Sequence, residues 1–194
     1  MSNKIWYLFP IELYIIIQVR RIRLDLNITT KEISDYLNKN EKYIGHMESA
    51  ANNSKYNDEV LNKIAMYFSI VARKRQQELI DSKDDTVIKT DYTIYDFYPK
   101  ETLSDDKVIK QIPPIPEGSG PTGTLNALIE STEFFAVYRT LKEIVEKANE
   151  VQNQTWEGSN FTQPLENAVK NKRLSLTIID GLNSYTLAKI QKKE

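Results

Sequence analysis

Apolar positions in the first eighty residues recur at helical spacing. Ile15, Val19, Ile22 and Leu26 follow at intervals of four, three and four, giving a helix one apolar face and leaving Arg20, Arg21 and Arg23 looking outward. Asn27 ends this helix, because asparagine tolerates the left-handed conformation. Thr29 stands three before Glu32, the spacing of a capping box, and starts a second helix that buries Ile33 and Leu37. Asn38 supplies the next turn, and Asn40 caps a third helix whose inward positions are Ile44 and Met47. Asn57 or Asp58 opens a fourth, with Leu61, Ile64, Ala65 and Phe68 inward, and VARKRQQELI is a further amphipathic piece that closes the unit.

Beyond residue 80 the periodicity fades. DSKDD gives way to the aromatic YTIYDFYP and then to IPPIPEGSGPTG, a stiff-then-flexible stretch that reads as a linker over 81–118. The aromatics Tyr92, Tyr95, Phe97 and Tyr98 are expected to pack on the first domain, since leaving them in water is costly. Helical patterns resume in TLNALIESTEFF, YRTLKEIVEKANE and FTQPLENAVKNK, the last tolerating Pro164 if it falls in the first turn. Two alternating runs, RLSLTII and SYTLAKI, then flank Asp180-Gly181-Leu182-Asn183, a strong hairpin signal. The predicted fold is mainly α: a helix-turn-helix bundle over 1–80, the linker, and an α+β domain over 119–194. Helices followed by one terminal β-hairpin describe a winged helix. Its third helix turns Gln163, Glu166, Asn167 and Lys170 outward and buries Leu165 and Val169, with Lys172 and Arg173 at its end.

Composition removes whole classes of chemistry. The 194 residues include no cysteine, which excludes disulfides, thiol catalysis and thiolate metal sites and fits a cytoplasmic protein. The apolar run at 5–17 is too short to span a bilayer and carries Pro10 and Glu12, so no membrane partner is expected. One histidine, no glycine-rich phosphate loop and no nucleophile elbow argue against an enzyme, and no cofactor is implied. His46 has no second histidine or cysteine to complete a metal site. Asp81, Asp84 and Asp85 lack the spacing of a calcium loop. Residues 1–80 are mildly basic and 81–107 acidic, a balance that permits nucleic-acid binding at the front of the chain without demanding it.

Residues 30–48 carry the most specific signal. A helix-turn-helix needs a small residue early in its first helix, a residue tolerant of positive φ at the turn, and apolar anchors on both helices. Ser34, Asn38 and the set Ile33, Leu37, Ile44, Met47 meet those needs. With Ile22 onward, Thr29-Thr30 and Tyr43-Ile44-Gly45-His46-Met47-Glu48, the chain over about residues 11–70 resembles the Xre family, the lambda-repressor-like helix-turn-helix regulators. Thr30, Ser34 and Asn38 stand where that family often has glutamine, alanine and glycine.

The resemblance implies a dimeric, sequence-specific regulator of transcription that binds double-stranded DNA with a helix over 41–48 in the major groove. It nominates Glu41, Lys42, Tyr43, Gly45 and His46 for the groove, and Thr30 and Lys31 for the backbone or groove edge. His46 has a plainer reading as an exposed helix residue without a duty. Gln163, Asn167, Lys170, Lys172 and Arg173 form a second surface for DNA or for a partner. The competing function is an interaction protein, an antitoxin or phage-type modulator, that holds a partner protein through residues 119–194.

Overall fold

A computed structural model describes residues 4–188, among which lie seven α-helices and two small antiparallel sheets. The chain divides between Pro113 and Pro114 into two units. Of the expected linker 81–118, residues 81–113 therefore belong to the first unit and 114–118 to the second.

In that unit α1 spans Pro10–Asp25, with Pro10 in the first turn, where its missing N–H costs nothing. It closes at Asn27, whose φ of 56° lets the Ile28 N–H reach the Arg23 carbonyl at 2.9 Å. The capping box at Thr29 forms: the Glu32 N–H donates to Thr29 Oγ1 and the Thr29 N–H to Glu32 Oε2, starting α2 at Thr30–Tyr36. Asn38 turns the chain at φ 54°. Asn40 then shapes residues 41–42 into a turn by accepting the Lys42 N–H at 3.0 Å, so α3 is the short helix Tyr43–Met47. Glu41 and Lys42 lie before that helix, a correction to the expected span of 41–48. Asn57 caps α4, which runs unbroken over Asp58–Asp81 and absorbs the expected separate fifth piece.

The buried faces meet around Val19, Ile22, Ile33, Ile44, Leu61, Ile64 and Phe68. The segment beyond α4 completes this core. A 3-10 turn at Ile94–Phe97 inserts Phe97, fully buried, edge-on to Phe68 at a centroid distance of 5.9 Å, and Tyr92 meets Phe68 the same way. Ser69 Oγ accepts the Tyr92 N–H at 2.8 Å and holds the strap to α4. A two-residue ribbon, β1 at Tyr7–Leu8 and β2 at Val108–Ile109, joins the two ends of the unit.

The second unit contains α5 (Pro121–Ser131), β3 (Arg139–Thr140), α6 (Leu141–Gln152), α7 (Ser159–Lys170), β4 (Leu174–Ile179) and β5 (Leu182–Leu187). Its strands run in the order β3-β5-β4. Asp180 and Gly181, with φ of 51° and 77°, form the two-residue turn, so Leu182 and Asn183 are already strand and not turn. Lys189 and Ile190, at the end of the expected second run, lie outside the described residues. Pro164 falls in the interior of α7 and not in its first turn, because the helix starts at Ser159. The inward residues of α7 are Phe161, Leu165 and Ala168, with Val169 only half-buried. They pack with Leu125, Leu128, Phe135 and Ile144.

No helix among the described residues is long and apolar enough to cross a membrane.

Candidate nucleic-acid interface

Helix α3 is too short to be stable alone, so its position is set by what it is tied to. Ile44 and Met47 anchor it in the core. Ser34, fully buried on α2, donates its hydroxyl to the Thr30 carbonyl at 2.8 Å and accepts the Ile44 N–H at 3.2 Å. An alanine there would leave that amide without its acceptor. The serine thus serves the close approach expected of a small residue and also joins the two helices chemically.

The third tie is ionic. Glu48, immediately after α3, receives Arg23 through Nε at 2.9 Å and Nη2 at 2.8 Å, a two-point pairing of fork to carboxylate. Arg23 Nη1 donates to the Ile28 carbonyl at 2.8 Å, and Arg20 Nε lies 3.5 Å from Glu48. Arg20 and Arg23 are 5% and 1% exposed, so they do not look outward as their position on a charged helix suggested. Arg21 alone of the three is partly solvated, 3.5 Å from Asp25. The half-buried Tyr56 turns its hydroxyl inward beside this cluster, and burial, then the negative charge of Glu48, pushes the hydroxyl pKa well above the ordinary value. The sequence held one signal for this arrangement: Ile16, Arg20 and Arg23 share a stripe at spacings of four and three, and Ile16 is fully buried.

With its inner side fixed, α3 presents a short outer face. His46 is exposed there, and its carbonyl accepts from Asn52 Nδ2 at 3.0 Å. Gly45 is half-buried, yet a Cβ built on it would meet nothing within 4 Å. Lys42 and Glu41 are exposed in the preceding turn. Tyr43 is divided between roles: its ring packs on the core and burial raises its hydroxyl pKa, while the Lys39 ammonium sits 5.9 Å over its face. On α2, Lys31 is exposed and paired with Asp35 at 2.6 Å, which raises its pKa, and the charge of Glu41 adds to the shift. Thr30 is half-buried, with its carbonyl occupied by Ser34. The first turn of α2 and the turn before α3 are close enough for Glu41 to act on Lys31, and Lys42 and His46 are exposed beside that turn.

Gly45 gives a stability prediction. Glycine inside a helix weakens it by about 0.5–1 kcal/mol relative to alanine, and open space awaits the methyl. Gly45→Ala is expected to raise the unfolding free energy from urea titration by that amount, and a lower value would show that the position needs glycine's backbone freedom.

The second surface is less uniform. Gln163 and Asn167 pair with each other at 3.2 Å along α7, and Lys170 and Lys172 are exposed. Arg173 turns back to α5, donating to Asn126 and, at 3.2 Å, to Glu130. It joins the second unit's own framework rather than the exposed row. An apolar groove of ≈ 830 Å³ lies elsewhere in this unit, between the start of α6 and the hairpin tip, lined by Leu141, Val145 and Leu182 among others.

Compared with protein-family models, curated proteins and solved structures, the chain matches none.

Proposed function

We propose that this chain is a sequence-specific DNA-binding regulator of transcription, of the Xre or lambda-repressor-like kind, acting as a dimer. In this reading α2, the turn at Asn38 and α3 are a helix-turn-helix, and the second unit is a winged-helix module. The observation that carries it is the division of α3 and its flanks into two sides: Ile44, Met47 and, just after the helix, Glu48 hold it from within, while His46 and, in the preceding turn, Lys42 are exposed and a Cβ on Gly45 would meet nothing. Phosphate contacts position such a helix and base contacts specify the site, so Thr30 and Lys31 serve the first purpose and Lys42 and His46 the second. Glu41 either accepts from a cytosine amino group or repels phosphate.

Selection of bound sequences from random duplex DNA, with the full-length chain at near-physiological salt, tests this. An enriched inverted repeat with half-sites about one helical turn apart is expected. Lys42→Ala with His46→Ala should then abolish site preference while leaving the circular dichroism unchanged, at about 1–3 kcal/mol for each lost base contact. Site preference that survives in the double variant would remove α3 from the reading.

A second reading is favoured by the apolar groove on the second unit, which suits a protein partner: an antitoxin or modulator bound through residues 119–194. A folded sample that enriches no sequence and shows little affinity for DNA even at low salt is the outcome that selects it.

A further inference from the structure

Strand β4 ends the three-stranded sheet with one edge unpaired among the described residues. Natural edge strands are guarded by lysine, proline, bulges or short length. This one has six residues, Leu-Ser-Leu-Thr-Ile-Ile, with no charge and no proline, and its pairing with β5 is unbroken from Leu174 to Ile179. Leu176 and Ile178 are 45% and 71% exposed.

The direction of the free hydrogen-bonding groups follows from the hairpin. A two-residue turn makes Ile179 and Leu182 a pair that exchanges both bonds, and such pairs alternate along an antiparallel ladder. The Ala188 N–H donates to the Arg173 carbonyl at 3.0 Å, which places the same parity six residues back. Residues 175, 177 and 179 therefore bond inward to β5. Leu174, Leu176 and Ile178 turn their N–H and C=O groups to the open edge.

We propose that this edge pairs with the β4 edge of a second copy of the chain, antiparallel, about a two-fold axis at Leu176. This register sets outward residues against outward residues over the whole strand: Leu176 faces its own mate, and Leu174 faces Ile178 of the other copy. About six backbone hydrogen bonds form, two for each facing pair. The side chains agree with it. Leu174, Leu176 and Ile178 share one face of the strand, so their mates extend the apolar face that Leu174 already buries, while Ser175 and Thr177 meet on the other. The flanking charges are opposite in sign as well, with Lys172 in the turn before the strand and Asp180 in the turn after it, so an antiparallel mate sets unlike charges near each end. Any neutral strand satisfies the backbone, but the strand's own copy also answers its apolar pattern and its end charges. The opposite edge, β3, is only two residues long, so assembly stops at two copies.

The pairing supplies the dimer that the DNA-binding reading assumes, yet its observations are those of the strand alone, and it is tested without DNA so that the two can fail separately. The full-length chain is expected to have twice the mass of one chain by sedimentation equilibrium across the micromolar range. Ile178→Lys, which sets a charge into each end of the paired edge, should give a monomer with unchanged circular dichroism. Because the chain has no cysteine, single cysteines report the register under mild oxidation. Leu176→Cys should cross-link to its mate across the axis, at a Cα separation of about 5.5 Å. Ser175→Cys should not, being diagonal to its mate at about 7–8 Å. A monomeric parent chain, a dimer that persists in Ile178→Lys, or cross-linking stronger at 175 than at 176 each overturns the proposal.

Discussion

Glu48→Ala is expected to unfold the first unit at a far lower urea concentration than the parent chain. It leaves the guanidinium of Arg23, 1% exposed, and that of Arg20, 5% exposed, without the carboxylate that both approach. An uncompensated buried charge costs about 3–5 kcal/mol, much more than the loss of a solvated pair. Trp6 reports this unit locally, because its Nε1 donates to the Ala51 carbonyl three residues beyond Glu48. Following its fluorescence in a Trp156→Phe background keeps the second unit out of the signal. A loss below about 1 kcal/mol would mean that the pair behaves as if it stood in water. A companion variant separates the charge from the packing. Arg23→Met with Glu48→Leu removes both members of the closest pair, and buried pairs exchanged for apolar groups often lose little. Arg20 keeps the Pro113 carbonyl as an acceptor, so the double variant should recover that part of the Glu48→Ala loss that belongs to Arg23.

The second large effect is expected at Phe97. Its ring is fully buried against Phe68, although the residue lies in a stretch that reads as linker. Phe97→Ala removes the ring and opens a cavity, at a cost of about 3–5 kcal/mol in the same titration. A solvated aromatic would give close to nothing, so the measurement tests whether Phe97 belongs to the core of the first unit. It also bears on fragment design. A fragment ending at residue 80 would lose Phe97 and Tyr92 together, whereas one ending at Pro113 keeps the core whole.

What was legible in the sequence was whatever is decided locally. Thr29 with Glu32, Asn27, Asn38, Asn57 and the Asp180-Gly181 turn act within a few residues, and each does in the structure what its chemistry predicts. The illegible parts depend on distant partners. Arg20 and Arg23 look like a solvated face until Glu48 arrives from 25 residues beyond Arg23. Phe97 was expected to pack on the first domain, and it does, but no periodicity announced Phe68 as its partner. The two residues of β3 are too few to form a pattern, yet they complete the second sheet. In the interface itself, Ser34 was legible as small but not as a hydrogen-bonding joint, because its acceptor role needs the Ile44 amide ten residues away.

The ribbon of β1 and β2 has a consequence for how this protein is made. It pairs Tyr7 with Ile109 and Leu8 with Val108, positions about a hundred residues apart. A ribosome adding about 5–20 residues per second delivers the second strand on the order of 5–20 s after the first. Helices α1 to α4 can gather during that interval, because their contacts span shorter stretches of chain. Tyr7 and Leu8 cannot pair before Ile109 and Val108 are made, and Leu8 is 4% exposed in the folded chain. Strand β1 is thus made about a hundred residues ahead of its partner, and its pairing is among the last contacts of the first unit to form.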